Sequence, residues 1–481
     1  MKRGGKRAKK IRHAVEAGIR RWPRTRAWSP ARSERQAFLD AMRSVGDPVT
    51  DPLIAQVFAA EGHEGLRRLN KWFLQAHNPD PWMLKRLPQP IRAFLEAPVG
   101  YPDWVDQERI EQAYEMFLKW GMQVLLLLFM KALPQFFANE GASQVFYQTK
   151  AFAKDKQALL RFVIEMIQLL IDVMEPGNLT DGTWRYDIPD KVIEPADAPL
   201  PAGPEPRPRR KPAGVGSKGR GVLALQKLRL HHSIIRFYLL NPVHSEPWKP
   251  AWGVPINQED LAASMLAFTL YNIEGFEKLN LRLSPHEQET TLMMWKLICF
   301  LLGLDERLQP ATLAEAEVLL KTIEARQSGP WVAGTALTRQ LIDVMRGFLP
   351  FFIKNVPVIL TRYLVDRSYL KRLKVPRTFG PSWLSMRIVV VLLSVFRFYN
   401  WVIGRFFPRL HVFILEKSYT FLTRRLFPRF IRGASRSEGR HGTRGAFRLP
   451  GWTQDPRGQG ASVREARMWR HGRKKKAAPS S

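Results

Sequence analysis

The sequence predicts an all-α protein, on three observations. Nearly every apolar segment between residues 36 and 375 is long and repeats at helical spacing. The apolar and polar alternation of a half-buried strand is scarce. Ser, Asn and Gly stand where such helices should begin and end.

The elements follow in order. Ala158 to Met174 is apolar except for Arg161, Glu165, Gln168 and Asp172, which form one stripe before Pro176-Gly177 stops the helix. A second helix is expected from Gly221 to Leu240, ended by Asn241-Pro242. Asn257, with Asp260 three residues on, caps a helix through Asn272. Ser284-Pro285-His286-Glu287 is a capping box with proline at the first helical position, and it opens a helix to Leu302 that Gly303 ends in a left-handed conformation. Further helices are expected at Leu313–Ala325, Thr335–Phe348 and about Ile353–Lys371. Beyond Pro376, the run Ile388–Phe396 is intensely apolar but lies between Arg387 and Arg397, far short of the ~20 residues of a membrane span. Arg405-Phe-Phe-Pro-Arg409 recurs as Arg425-Leu-Phe-Pro-Arg429. Helices of that composition either lie on a membrane surface or close over the body as a hairpin.

The 481 residues are 45% apolar, which excludes a wholly disordered chain, and their net charge is +32. That charge is unevenly placed: residues 1–35 carry +11, 197–221 carry +4, 376–432 carry +9 and 433–481 carry +9, so the remainder is near neutral at −1. The chain accordingly reads as a basic N-terminal tail (1–35), a body (36–375) interrupted by a Pro/Gly-rich loop (197–221), basic aromatic amphipathic helices (376–432) and a disordered basic tail (433–481). A neutral body is not built around a nucleic-acid groove, so specific nucleic-acid binding is not expected. The 376–432 segment is the candidate for contact with an anionic membrane surface. The N-terminal tail lacks the apolar run of a secretory signal, and the expected address is cytoplasmic or peripheral on the inner membrane. Cys299 is the one cysteine, which removes intramolecular disulfides, CxxC zinc sites and CxxCH haem attachment.

Two motifs fail on context. Gly214-Val-Gly216-Ser-Lys-Gly219 has the spacing of a dinucleotide fingerprint, but Pro206 to Pro212 precedes it where a buried strand is needed. His286-Glu287 has no second histidine at zinc-protease spacing. A third is more informative. On a helix, His232 shares a face with Leu225, Leu228, Arg229, Ile235, Arg236 and Leu239, so one imidazole sits on an apolar stripe between two guanidinium groups. That suits a haem, whose iron takes a neutral imidazole nitrogen and whose propionates take cationic partners such as Arg229 and Arg236. A satisfied core histidine fits the same residues.

Arg229-x-x-His232-x-x-x-Arg236 resembles the haem-ligating helix of the MpaB and latex clearing protein family of oxygenases. The resemblance extends to Gly46-Asp47-Pro48, to Trp252-Gly-Val-Pro255-Ile-Asn257-Gln-Glu-Asp260-Leu, to Trp295–Gly303 and to Gln309-Pro310-Ala311-Thr312, spanning about residues 40–375. It implies a single large helical domain with a globin-like core that holds non-covalent haem b, with His232 as the proximal, metal-binding ligand. It also implies an oxidoreductase that uses dioxygen on a carbon–carbon double bond of an apolar, isoprenoid-like small molecule or polymer. The family commonly carries a threonine on the distal helix, next to a lysine in rubber-cleaving members; here Met166 and Glu165 take those places. Arg161, one turn before Glu165, is the nearest match to a family arginine, which makes Arg161 and Glu165 the candidate catalytic pair. From the residues alone, their stripe is equally a solvent face held by i, i+4 pairing. A haem-binding relative without oxygenase chemistry and a cofactor-free membrane-surface scaffold are the alternatives in function.

Overall fold

A computed structural model describes residues 32–75, 86–105, 107–149, 156–179, 219–241, 247–347, 349, 354–377 and 406–421, with short pieces between 391 and 403. The tails before 32 and after 421, most of the Pro/Gly-rich loop and the first two glycines of the 214–219 motif lie outside the described residues.

Among the described residues the protein is helical, with no strand and one isolated bridge between Asn139 and Ser328. The helices are α1 (Arg32–Arg43), α2 (Thr50–Gln75, kinked at Gly62) and α3 (Gln89–Glu96). Then come α4 (Gln107–Leu127 and Leu133–Phe136, joined by the π turn Leu128–Ala132), α5 (Glu140–Gln148), α6 (Lys156–Val173) and α7 (Arg220–Leu240). After them follow α8 (Gln258–Leu266 and Asn272–Lys278, joined by the π turn Ala267–Tyr271), α9 (Pro285–Leu301) and α10 (Leu313–Gln327). The chain closes with α11 (Val332–Gly347), α12 (Val356–Leu364), α13 (Arg367–Arg372) and α14 (Pro408–Phe421).

The central helix is α4. It is long and apolar enough to cross a membrane, but 78% of its most apolar window is buried inside the protein. Helices α8, α9 and α14 pack along it. The approach of α8 is close because residue 275 is glycine: a Cβ there would stand 2.4 Å from Leu127. The π turns of α4 and α8 also meet, and each inserts a residue that shifts the register of the helix around the core. Lys131, in the first of them, is fully buried. Its ammonium donates to Gln135 Oε1 (2.9 Å) and Leu364 O (3.3 Å) and pairs with Glu274 (2.9 Å).

The expected starts and stops are present. The Ser284 hydroxyl accepts the Glu287 N–H while the Glu287 carboxylate accepts the Ser284 N–H, and Asn257 Oδ1 accepts the Asp260 N–H at 2.9 Å. Two boundaries differ. The helix capped by Asn257 does not end at Asn272 but continues to Lys278, because the π turn absorbs the change of phase. The stretch expected as one helix over about Ile353–Lys371 is two, because Val365 and Asp366 adopt extended backbone. The break is held from outside: Lys278 Nζ donates to Leu364 O (2.7 Å) and to Asp366 Oδ1 (2.5 Å).

Gly303 occupies φ +89°, and a Cβ on it would stand 2.6 Å from both Arg229 Nε and Asp47 Oδ2. Gly303→Ala should therefore lower unfolding stability by about 1–3 kcal/mol from backbone strain, with the displaced ion pair adding to the loss. Urea denaturation of the two proteins checks this; equal midpoints and slopes would show that the turn tolerates a side chain.

Candidate functional site

Helix α7 carries the candidate ligand, and its surroundings differ sharply around its circumference. On one side Leu230 and Ile234 close an apolar cluster with Ile54, Val57, Leu66 and Leu69 of α2 and Ile91 and Leu95 of α3. On a second side the helix is held by polar contacts. Arg229 donates from Nε and Nη2 to the two oxygens of Asp47 (2.5 and 2.9 Å). Arg236 donates to Asp51 Oδ1 (2.8 Å), to Ile256 O (2.9 Å) and to Ser233 Oγ (2.9 Å), and the Ser233 hydroxyl is bonded to that of Thr50 (2.7 Å). Burial alone would raise the Asp47 carboxyl, but the Arg229 guanidinium and the N–H groups of Val49 and Thr50 outweigh it and hold the group below its usual range. Both arginines are thus paired with carboxylates of their own chain. Arg236 has its Nε and both terminal nitrogens bonded and is only 3% exposed, so the two side chains expected as propionate partners are engaged within the protein as well.

The motif segments quoted for the family resemblance converge here. Gln258 Nε2 donates to Gly46 O (2.8 Å) and Gly303 O (3.0 Å), and its Oε1 accepts the N–H of Asp305 (2.8 Å). Glu259, fully buried, takes Arg326 Nε (2.9 Å) and Arg43 Nη1 (3.4 Å). Asp260 is buried with Oδ1 unbonded, and burial pushes its carboxyl up to about 7 against the pull of Arg43.

The third side of α7 is different. Ala224, Leu228, His231, His232 and Ile235 fall within an arc of about 100° at ~100° per residue. All five keep accessible surface, while Leu225, Gln226, Lys227, Leu230, Ser233, Ile234 and Arg236 are buried. The imidazoles lie deep enough that desolvation pushes His231 down to about 4 and His232 down to about 3. For His232 the cations of Arg236 and His231 act in the same direction, opposed by Asp47. Both rings are neutral at pH 7, and each has a buried Nδ1 with no hydrogen-bond partner among the described residues. Neutral imidazoles with unbonded ring nitrogens on an apolar, partly accessible arc are what a haem iron and its porphyrin require. The residues present fit the group.

Helix α6 packs against α7. Gln168 is 3% exposed and donates to Asp172 Oδ1 at 2.7 Å. Burial pushes Asp172 up to about 6, with Lys227 of α7 among the cations that oppose the rise. Lys227 is buried in turn, and desolvation pushes it down to about 7 against the pull of Asp172. The stripe that could have been a solvent face therefore turns toward α7 at Gln168 and Asp172. Glu165, on the same stripe one turn earlier, is partly buried; the side chain of Arg161 lies outside the described residues. Sequence reasoning missed Asp47 and Asp51 as partners of the two arginines, and missed the Lys227–Asp172 pair. The available signal was Lys227 one turn before His231, a cation on an otherwise apolar helix. Cys299 is buried, and its thiol is pushed up to about 12.

An all-α protein with a histidine-bearing helix clamped by two arginine–carboxylate pairs is the class that fold and site define. Residues 213–466 match the family described as ER-bound oxygenase mpaB/B'/Rubber oxygenase, catalytic domain, and the chain belongs to that family. It is an oxygenase-type protein in that coarse sense. The match takes in α14 and the rest of 376–432. Among solved structures, the chain is similar to one titled "Structure of Latex Clearing Protein LCP in the closed state". The TM-score is 0.55 at 16% identity, covering 79% of this chain and 89% of the other, so the shared feature is the fold. No curated protein matches.

Asp47→Asn leaves the half-buried Arg229 without its counter-charge and should cost about 1–3 kcal/mol of unfolding stability. A denaturation midpoint within error of the parent would show that the pair does not hold α7. Asp260 yields a pH effect of defined sign. Its folded value of about 7 lies above the unfolded 3.8, so its ionised form destabilises the fold, and stability is gained as pH falls from about 7 toward 4. Asp260→Asn removes that dependence. Relative to the parent, the variant should gain most at pH 8 and lose the advantage toward pH 5, by up to about 1.4 kcal/mol per pH unit. A difference constant across that range in urea titrations would contradict the assignment.

Proposed function

We propose that the protein is a haem b-dependent oxygenase that uses dioxygen on a carbon–carbon double bond of a long apolar, isoprenoid-like substrate. The observation that carries this reading is the partly accessible arc of α7, with its two neutral imidazoles, in a member of an oxygenase family. When bound, haem b would supply the binding and activation of dioxygen. His232 is the iron ligand, for it stands beside the Arg229 and Arg236 anchors and its ring is kept neutral by burial. Leu228 and Ile235 supply apolar wall on the same arc. Arg229 and Arg236 act as positioning residues that lock α7 through Asp47 and Asp51. Glu165 and Arg161, one turn apart in the sequence of α6, are the candidate catalytic pair on that side. The inward turn of Gln168 and Asp172 on that stripe supports this part of the reading.

His232→Ala should give folded protein without a Soret band, whereas His231→Ala keeps one, since adjacent residues on a helix point ~100° apart. Folded parent protein that takes up no supplied haem would end the reading; full retention in His232→Ala would move the ligand elsewhere. Met166 and Glu165, in place of the family's threonine and lysine, favour a second reading, a haem carrier or sensor. Dioxygen consumption with a polyprenyl alkene separates the two: the oxygenase consumes it and loses activity in Glu165→Gln, and the carrier does neither.

A further inference from the structure

The exposed large apolar side chains are not scattered. Among the described residues, every strongly exposed phenylalanine lies in one segment: Phe398 (65%), Phe406 (64%), Phe407 (56%) and Phe413 (47%), accompanied by Val391, Val395 and Leu410. They fall on helical stripes, 391, 395 and 398 in one piece and 406, 410 and 413 in the next, continued by Lys417 one turn on. The opposite face is fastened to the protein. His411 and Leu415 of α14 are buried, the His411 ring meets Trp120 of α4 edge-on at 6.1 Å, and Phe396 packs on the main core. The described part of this segment therefore closes over the body with one face and presents an aromatic face outward.

We propose that this outward face docks on an anionic lipid surface, with Phe406, Phe413, Leu410 and Phe398 entering the interfacial layer and Arg409 and Lys417 meeting the headgroups. The charge selects this occupant. Residues 376–432 hold ten Lys and Arg against the single carboxylate of Glu416, a balance that an apolar protein partner would have to desolvate and an anionic leaflet neutralises. The chemistry of the described cations agrees. Arg409 is exposed beside the apolar stripe, and Lys417 lies with its ammonium 5.4 Å from the centre of the Phe413 ring, the arrangement in which an apolar stem follows the aromatic surface and the charge reaches past it. The association is peripheral, because the apolar stripes are one face of helices whose other face is packed on protein. It rests on no haem and no oxygenase step.

The test is flotation of the full chain with phosphatidylcholine vesicles and with vesicles in which a third of the lipid is phosphatidylserine, at low and high salt. Binding is expected on the anionic vesicles only, weakening as salt rises. Arg409→Gln should weaken it about fivefold, the worth of one cation near an anionic surface. The double variant Phe406→Ser with Phe413→Ser should abolish it while leaving the helical circular dichroism of the protein unchanged, since both side chains are on the exposed face of the segment. No flotation on anionic vesicles, or equal flotation of the double variant, would overturn the proposal. So would concentration-dependent dimerisation that the double variant removes in the absence of vesicle binding, which would make a second copy of the chain the occupant.

Discussion

The arrangement depends on a buried, two-point ion pair between Arg229 of α7 and Asp47 in the turn before α2. Taking both charges out of water is costly, and the pair is tolerated only because Asp47 also accepts the N–H groups of Val49 and Thr50 and both guanidinium hydrogen bonds are made. Such a contact adds little net stability over an apolar one of the same size. What it supplies is register: Arg229 can lie against Asp47 in one rotation and one translation of α7, and Arg236 with Asp51 repeats the constraint two turns on.

Everything that packs around that pair is small or polar for a reason that can be stated. Gly303 leaves room for Arg229 and Asp47 by having no side chain, and Gln258 closes the gap between the turns at Gly46, Gly303 and Asp305 with three hydrogen bonds. Residues more than two hundred positions apart are joined in this way. With α7 fixed on this side and its Leu230–Ile234 side sealed against α2 and α3, Leu228 and Ile235 on the remaining arc join none of the apolar clusters among the described residues, and the imidazoles there are desolvated with each Nδ1 unbonded among those residues. The neutral histidines are thus a consequence of how the opposite faces of the same helix are held.

The C-terminal helix answers a different demand. Helix α4 would expose part of its apolar surface if the chain ended at residue 375, and α14 covers it with Leu415 and His411 against Trp120. The match of the family across 213–466 fits this observation, since the helix that closes the core belongs to the same unit as the helix that carries the histidines.

The sequence by itself determined the helical class, the caps at Asn257 and Ser284 and the left-handed stop at Gly303, because each rests on side chains within a turn or two of one another. Even the family resemblance lay in short local motifs. The partners of Arg229 and Arg236 could not be read in the same way. A cation flanking a histidine suits a propionate or a carboxylate equally, and Asp47 becomes the partner only when a turn 182 residues away is folded against it. The break at Val365–Asp366 has the same origin, as Lys278 draws carbonyl and carboxylate out of a continuous helix from another element. The direction in which Gln168 and Asp172 face was likewise open in the sequence, since a polar stripe has the same spacing whether water or a buried lysine lies opposite, and only the packing of α6 on α7 decides which.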